Sequence, residues 1–301
     1  MYVWDRIRND PKILLDGIRN PQRVSLELVR LYYQSVGNPE YNTDGTDVFA
    51  DEDWDNLVIL DACRYREFAE MTPFDAPTET RVSKGSASNQ FVKGNFGNKT
   101  LHDVVYVSGN QWFLQLEDEL DCELHYYHDV ERDVMDGYVP SAEAVTEAAC
   151  RMAERFPNKR LVVHYMQPHK PYLGKHAEKF NYDGGVGTTM RASDVTVDEL
   201  REAYRDNLRY VLEHAQKLVE TLEGKTVVTS DHGELLGERL KPFPFRMYGH
   251  PGAVYDDLLV TVPWQVASDG PRKDVVAEPP VSRTEADRAQ VESTLKDLGY
   301  L

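Results

Sequence analysis

Cysteine is scarce in this chain: three in 301 residues, at Cys63, Cys122 and Cys150, with no pair in Cys-x-x-Cys spacing. So sparse and odd a set excludes a disulfide framework and fits a reducing interior. Long apolar runs are missing as well. No stretch approaches the roughly 20 apolar residues of a membrane-spanning helix, and Met1 to Asp10 holds no apolar core of signal-peptide length. The location these absences suggest is the cytoplasm. Positive charge is in deficit, with 34 Lys and Arg against 51 Asp and Glu, a formal net charge of −17 and a pI near 5.0. There is no basic run and no basic–aromatic stripe, so nothing can displace counterions from a phosphate backbone, and nucleic acid is excluded as a partner. The acidic surplus implies a well-solvated surface. Together with abundant Asp and more Arg than Lys, it has the look of a salt-adapted, halophilic composition. No Gly-x-Gly-x-x-Gly follows the first apolar run, which excludes a dinucleotide-binding dehydrogenase.

What is present is an alternation of strand-like and helix-like segments. Residues 1–55 read as a helical lead-in and linker. Leu14 to Ile18 and Val24 to Tyr33 have helical apolar spacing, and Gly37 to Asp55 is polar and turn-rich. The lead-in helices fit the side of the main domain, and a membrane surface or a partner is the other place for them. Residues 56–301 read as the main domain. It opens with Asn56-Leu57-Val58-Ile59-Leu60-Asp61, a short continuous apolar run of the kind that forms a strand buried on both faces. Similar runs recur at Asp103 to Val107, Arg160 to Tyr165, Lys225 to Ser230 and Leu258 to Val266. Between them, Ser141 to Phe156 is helical with Ser141 as N-cap. Thr196-Val197-Asp198-Glu199 is a capping box opening a long amphipathic helix that Gly224 stops. A last helix is expected over Thr284 to Leu298. The fold class is α/β: a mostly parallel central sheet with helices on both faces.

In open sheets of this kind ligands bind beyond the carboxyl ends of the strands, so the polar residues ending each run are the candidates. The first run ends in Asp61, with Arg64 close behind. The third carries His164 and continues into Gln167-Pro168-His169-Lys170-Pro171-Tyr172. The fourth ends in Ser230-Asp231-His232-Gly233-Glu234, and Tyr248-Gly249-His250-Pro251-Gly252 precedes the last. Asp61 with the adjacent pair Asp231 and His232 forms an oxygen and nitrogen donor set suited to a divalent ion. Singly, each has an ordinary structural use: an Asp after a strand caps helices, and His164 also reads as a packed strand-end histidine.

Taken together, NLVILDACRYREF, VSKGSASNQF, HYMQPHKPY, VVTSDHGELLGE and YGHPGAVYDDLLVTVPW occur in the order seen in the alkaline phosphatase/sulfatase superfamily. The chain most resembles its phosphoethanolamine transferase and lipoteichoic acid synthase branches. The resemblance runs from about Trp54 to Trp264. It implies an alkaline phosphatase-like fold and hydrolysis or transfer of a phosphate or sulfate ester. It also implies a divalent metal (Mn, Zn, Mg or Ca) on Asp61, Asp231 and His232, with His169 and His250 facing the substrate oxygens or the leaving group. Sulfatases proper carry Cys-x-Pro-x-Arg or Ser-x-Pro-x-Arg, whose first residue becomes formylglycine. That motif is absent here, and Cys63 stands too near Asp61 to replace it. The segment Ser83 to Phe91 supplies hydroxyls instead, so a metal-activated serine acting on phosphate esters is the expected chemistry. Ser86, after Gly85, is the first choice of nucleophile and metal ligand, ahead of Ser88 and Ser83. With no Asp-x-x-x-His on the third run, one ion is expected. His164, Lys170 and Arg64 then neutralise substrate charge. The substrate class is a small-molecule, glycan or lipid-head-group ester. The alternatives are a sulfatase-like hydrolase with an unconverted serine, and an inactive binding protein of the same fold.

Overall fold

The computed structural model describes residues 21–34, 38, 40–134, 138–180 and 185–281. The helices expected at Leu14 to Ile18 and at Thr284 to Leu298 lie outside them. Among the described residues the first element is α1 (Pro21–Gln34), whose Val29 is fully buried against Leu235 and Leu259. The expected central sheet follows, with seven strands: β1 (Asn56–Asp61), β2 (Glu79–Val82), β3 (Thr100–Ser108), β4 (Glu123–Asp129), β5 (Arg160–Pro168), β6 (Lys225–Ser230) and β9 (Thr261–Asp269). Their spatial order is β2-β9-β6-β1-β5-β3-β4, and β9 alone runs against the others. A separate two-stranded ribbon pairs β7 (Leu235–Glu238) with β8 (Met247–Gly249).

Strand alternation gives the sheet two cores. Val58 and Leu60 of β1 face one side. There they pack with Val163, Val228 and the apolar stripes of α4 (Ala142–Arg155) and α5 (Val197–Thr221). Leu57 and Ile59 face the other side, with Val162, Val227 and the Phe91, Val92 and Phe96 of α3 (Ser88–Phe96). The period of two along a central strand thus produces a run that is apolar throughout. Helix starts follow the capping chemistry read from the sequence. Ser141 Oγ accepts from Ala144 N, and Thr196 and Glu199 close a capping box that opens the 25-residue α5. A short helix, α2 (Tyr65–Met71), buries its Phe68 in the first of these cores. At the amino-terminal edge of the sheet, Asp55 accepts from Lys225 N at 2.8 Å and from Arg272 Nε at 2.6 Å. Beyond β9 the chain passes the starts of β5 and β3 and reaches β4, with Val276 N donating to Asn158 O, Glu278 N to His102 O and Val281 N to His125 O.

The expected strand over Leu258 to Val266 begins later than its apolar pattern. Asp256 caps a single helical turn over Asp257–Val260, and the strand starts only at Thr261. β2 and β4 were not expected. β2 lies at the sheet's edge with its side chains largely exposed, so it carries no apolar run to detect.

Candidate active site

β1 lies between β5 and β6, so the carboxyl ends of three neighbouring parallel strands lie side by side. Asp61 ends β1, and Asp231 and His232 follow β6. All three are fully buried, and one ligand atom from each lies within 4.8 Å of the others. His232 Nε2 stands 3.7 Å from Asp61 Oδ1 and 3.5 Å from Asp231 Oδ2. Its Nδ1 lies 2.8 Å from Gly233 O. That contact puts the ring proton on Nδ1 and turns the Nε2 lone pair toward the two carboxylates. Asp231 is tethered through one oxygen: Oδ1 accepts from Ala62 N at 3.0 Å and from His232 N at 2.9 Å. Its Oδ2 is buried with no hydrogen-bond partner. Ala62 holds a left-handed φ of 60°, an uncommon backbone state for a residue with a Cβ, immediately after Asp61.

The electrostatics follow from burial without water. Burial works against the ionised form of Asp231, but His232 and His164 outweigh it and hold the carboxyl below its usual range. Burial pushes His232 down to about 4, with His250 acting in the same direction. His164 is fully buried. Its Nδ1 lies 2.8 Å from the Tyr106 hydroxyl, and its Nε2 faces Asp231 Oδ2 at 3.6 Å.

A second group adjoins the first. His169, Glu234 and His250 also bring ligand atoms within 4.8 Å of one another. His250 Nδ1 lies 2.8 Å from Glu234 Oε2, and Glu234 Oε1 is buried with no hydrogen-bond partner. The His250 ring centre is 4.4 Å from that of His232 and 5.0 Å from that of His169. The two groups are therefore continuous. Burial, with His250 and Lys170 nearby, holds His169 well below the usual histidine range. Lys170 is 5% exposed, and burial pushes it down to about 8 against the opposing pull of Glu234.

The serines are placed differently from the expectation. Ser88, not Ser86, reaches the buried acid–imidazole group, with Oγ 3.3 Å from His232 Nε2 and 3.5 Å from Asp61 Oδ2. It is the first residue of α3, and the Gln90 and Phe91 N–H groups behind it both donate to Ala87 O, at 3.0 and 3.1 Å. Ser86 Oγ is instead bound to Gln90 Oε1 and Pro251 O at 3.0 Å each and accepts from Val254 N at 3.2 Å. It ties the start of α3 to the loop that follows His250. Gly85 permits the tight turn, because a Cβ there would stand 2.4 Å from Phe91 N. Ser83 donates to Asp231 O. The Arg64 guanidinium pairs with Glu238 at 2.9 Å and Glu67 at 3.0 Å, which outweigh burial and raise its pKa. Those pairs tie α2 to the ribbon. Sequence reading ranked Ser88 second, gave no role to Glu234 and did not single out Asn110, whose amide donates to Asp61 Oδ2 at 2.7 Å. The signal for Ser88 was available: the first helical residue after Gly85-Ser86-Ala87.

An open α/β sheet with acids and imidazoles at the ends of its central strands defines the class of this molecule. No protein-family model matches the chain, and no curated protein matches it. Solved structures do. The chain is similar to the C-terminal periplasmic domain of EptC from Escherichia coli, a zinc complex, at 13% identity and a TM-score of 0.45 over 70% of this chain and 72% of that one. It is similar to the soluble domain of lipooligosaccharide phosphoethanolamine transferase A from Neisseria meningitidis, at 15% identity and a TM-score of 0.46 over 69% and 74%. A third is a protein in the alkaline phosphatase superfamily from Vibrio parahaemolyticus, at 13% identity and a TM-score of 0.44 over 83% and 70%. Similarity at this level leaves the chemistry to this chain's own side chains. No described helix is long and apolar enough to cross a membrane.

Proposed function

We propose that the chain is a metal-dependent hydrolase or transferase of phosphate esters in which Ser88 is the nucleophile. The observation that carries this reading is the convergence of Ser88 Oγ, Asp61, Asp231 and His232 in one buried group. The donor set fits a divalent cation, because two carboxylates and an imidazole lone pair face one another with Asp231 Oδ2 lacking a hydrogen-bond partner. A bound ion would lower the pKa of the Ser88 hydroxyl and neutralise charge on the ester oxygens.

The chain's own residues account for the rest. Ser88 Oγ, which gives its proton to solvent before attack and regains one from solvent when the cycle closes, forms a bond to phosphorus as the bond to the leaving oxygen breaks, giving a phosphoseryl intermediate. The leaving oxygen takes a proton from His250 Nε2, while Nδ1 is held by Glu234. Water or an acceptor alcohol then receives the phosphoryl group, returning a proton to His250 and restoring the serine. Lys170, buried near His169 and Glu234, would neutralise charge on the ester oxygens. The residues after Ser88 are Asn89, Gln90, Phe91 and Val92, with neither the Pro nor the Arg of a formylglycine motif, which favours phosphate over sulfate. The test is turnover of matched aryl phosphomonoester, phosphodiester and sulfate substrates with and without added Mn or Zn. A sulfate rate above the phosphate rate, or metal-independent turnover, would overturn this reading.

A further inference from the structure

We propose that Asn110 is a positioning residue that sets the orientation of the Asp61 carboxylate, and through it the affinity of the site for a divalent cation. This rests on the metal reading above. Asn110 stands just beyond β3, on a strand two places from β1, and is 1% exposed. Its Nδ2 donates to Asp61 Oδ2 at 2.7 Å, and its Oδ1 accepts from Trp112 N at 2.9 Å. The second contact fixes the amide's sense, because only the NH₂ end can then face Asp61. The backbone beneath is also fixed. Ser108 Oγ accepts from Asn110 N at 3.1 Å and donates to Asn110 O at 2.5 Å. The side chain therefore cannot swing away without breaking contacts at both ends.

Asp61 lies at the tip of a buried strand, and rotation about its terminal bond would exchange its two oxygens. The Asn110 amide holds Oδ2 and leaves Oδ1 on the side of His232 Nε2, 3.7 Å away. Asp231 has the same arrangement, with Oδ1 held by the N–H groups of Ala62 and His232 and Oδ2 turned inward. For Asp231 the tether is backbone. For Asp61 a side-chain tether does that work, which makes it open to substitution. Residues that orient a metal ligand from behind typically govern about 10- to 100-fold in metal affinity.

The experiment is Zn²⁺ binding by calorimetry or chelator competition on the full chain, for wild type, Asn110→Ala and Asn110→Leu, alongside melting of each protein without metal. Asn110→Leu keeps close to the native volume, adds no charge and removes the donor to Asp61. Both variants are expected to bind Zn²⁺ about 10- to 100-fold more weakly, while each still melts as a folded chain. Wild-type affinity in Asn110→Leu would overturn the proposal, since the contact would then be packing alone. A wild type that binds no Zn²⁺ would overturn the metal reading and this inference together. Normal binding in wild type and both variants would overturn this inference only.

Discussion

Replacing Ser88 and Ser86 by alanine, one at a time, should produce effects of different kind as well as size. Ser88 Oγ makes long contacts, 3.3 Å to His232 and 3.5 Å to Asp61, so its loss should cost folding less than about 1 kcal/mol. Loss of an activated nucleophile lowers kcat by roughly 10⁴ to 10⁶, or about 5 to 8 kcal/mol at about 1.4 kcal/mol per tenfold. Ser86 reverses the pattern. It is fully buried, and its hydroxyl serves Gln90, Pro251 and Val254 N. Alanine strands those groups at about 1–3 kcal/mol, and each kcal/mol lowers the melting temperature of a chain this size by roughly 2–4 °C. Its kcat should fall far less than that of Ser88→Ala. The assay pairs turnover of an aryl phosphate with thermal melting, and adds acid-quench trapping of a phosphoenzyme. If Ser88→Ala keeps more than about a tenth of the wild-type rate, the seryl mechanism is wrong and a water nucleophile takes its place. If only Ser86→Ala loses the phosphoenzyme, the assignment returns to Ser86.

Asp231→Asn should leave the chain folded and remove its bound divalent ion, as read by metal analysis after dialysis; full metal content would refute the ligand set. Glu234→Gln should slow esters of poor leaving groups by about 10²-fold and leave p-nitrophenyl esters nearly unaffected, so an equal loss on both would count against His250 as the acid. Metal titration should give one ion per chain, and two would reassign His169, Glu234 and His250 to a second cation. Burial of Asp55 opposes its ionisation, but Arg272 and the Lys225 N–H outweigh it and lower its pKa. The stability it contributes is present above the unfolded carboxyl pKa of about 3.9 and fades as pH falls through the lower folded value. Asp55→Asn should therefore lose about 1.5–3 kcal/mol at neutral pH and show a flatter decline in melting temperature below pH about 4; an unchanged acid profile would remove Asp55 from that role.

The central strands were legible because burial on both faces leaves an unbroken apolar run, and β1 and β6 begin and end where Asn56–Asp61 and Lys225–Ser230 do in the sequence. The long helix was legible from Thr196 and Glu199, which cap it as their spacing implies. Edge strands leave weaker traces. β2 shows mostly exposed Glu, Thr and Arg, and β7 and β8 are four and three residues long. The acids and imidazoles were found because they follow strong strands. Ser86 was ranked ahead of Ser88 because the spacing after Gly85 was read without the start of α3, which puts Ser88 Oγ rather than Ser86 Oγ beside His232 and Asp61. Asn110 was invisible for a related reason, since its meaning depends on Asp61, 49 residues earlier, and on the sheet order that brings β3 close.

The two halves of the site are attached to the molecule differently. Asp61 and Asp231 end adjacent strands of the main sheet, whose spacing of about 4.8 Å is set by backbone hydrogen bonds. Altering their separation would require slipping the register, and a one-residue slip turns every side chain of a strand to the opposite face. Glu234 and His250 instead flank the small ribbon of β7 and β8, joined at its far end by the loop from Arg239 to Arg246. The ribbon's strand pairing is its own, separate from the seven-stranded sheet, so its connecting loop can change length without altering the sheet register. The half that would grip the ester centre is thus set by the sheet, and the half that would meet the departing group by a hairpin with an independent turn.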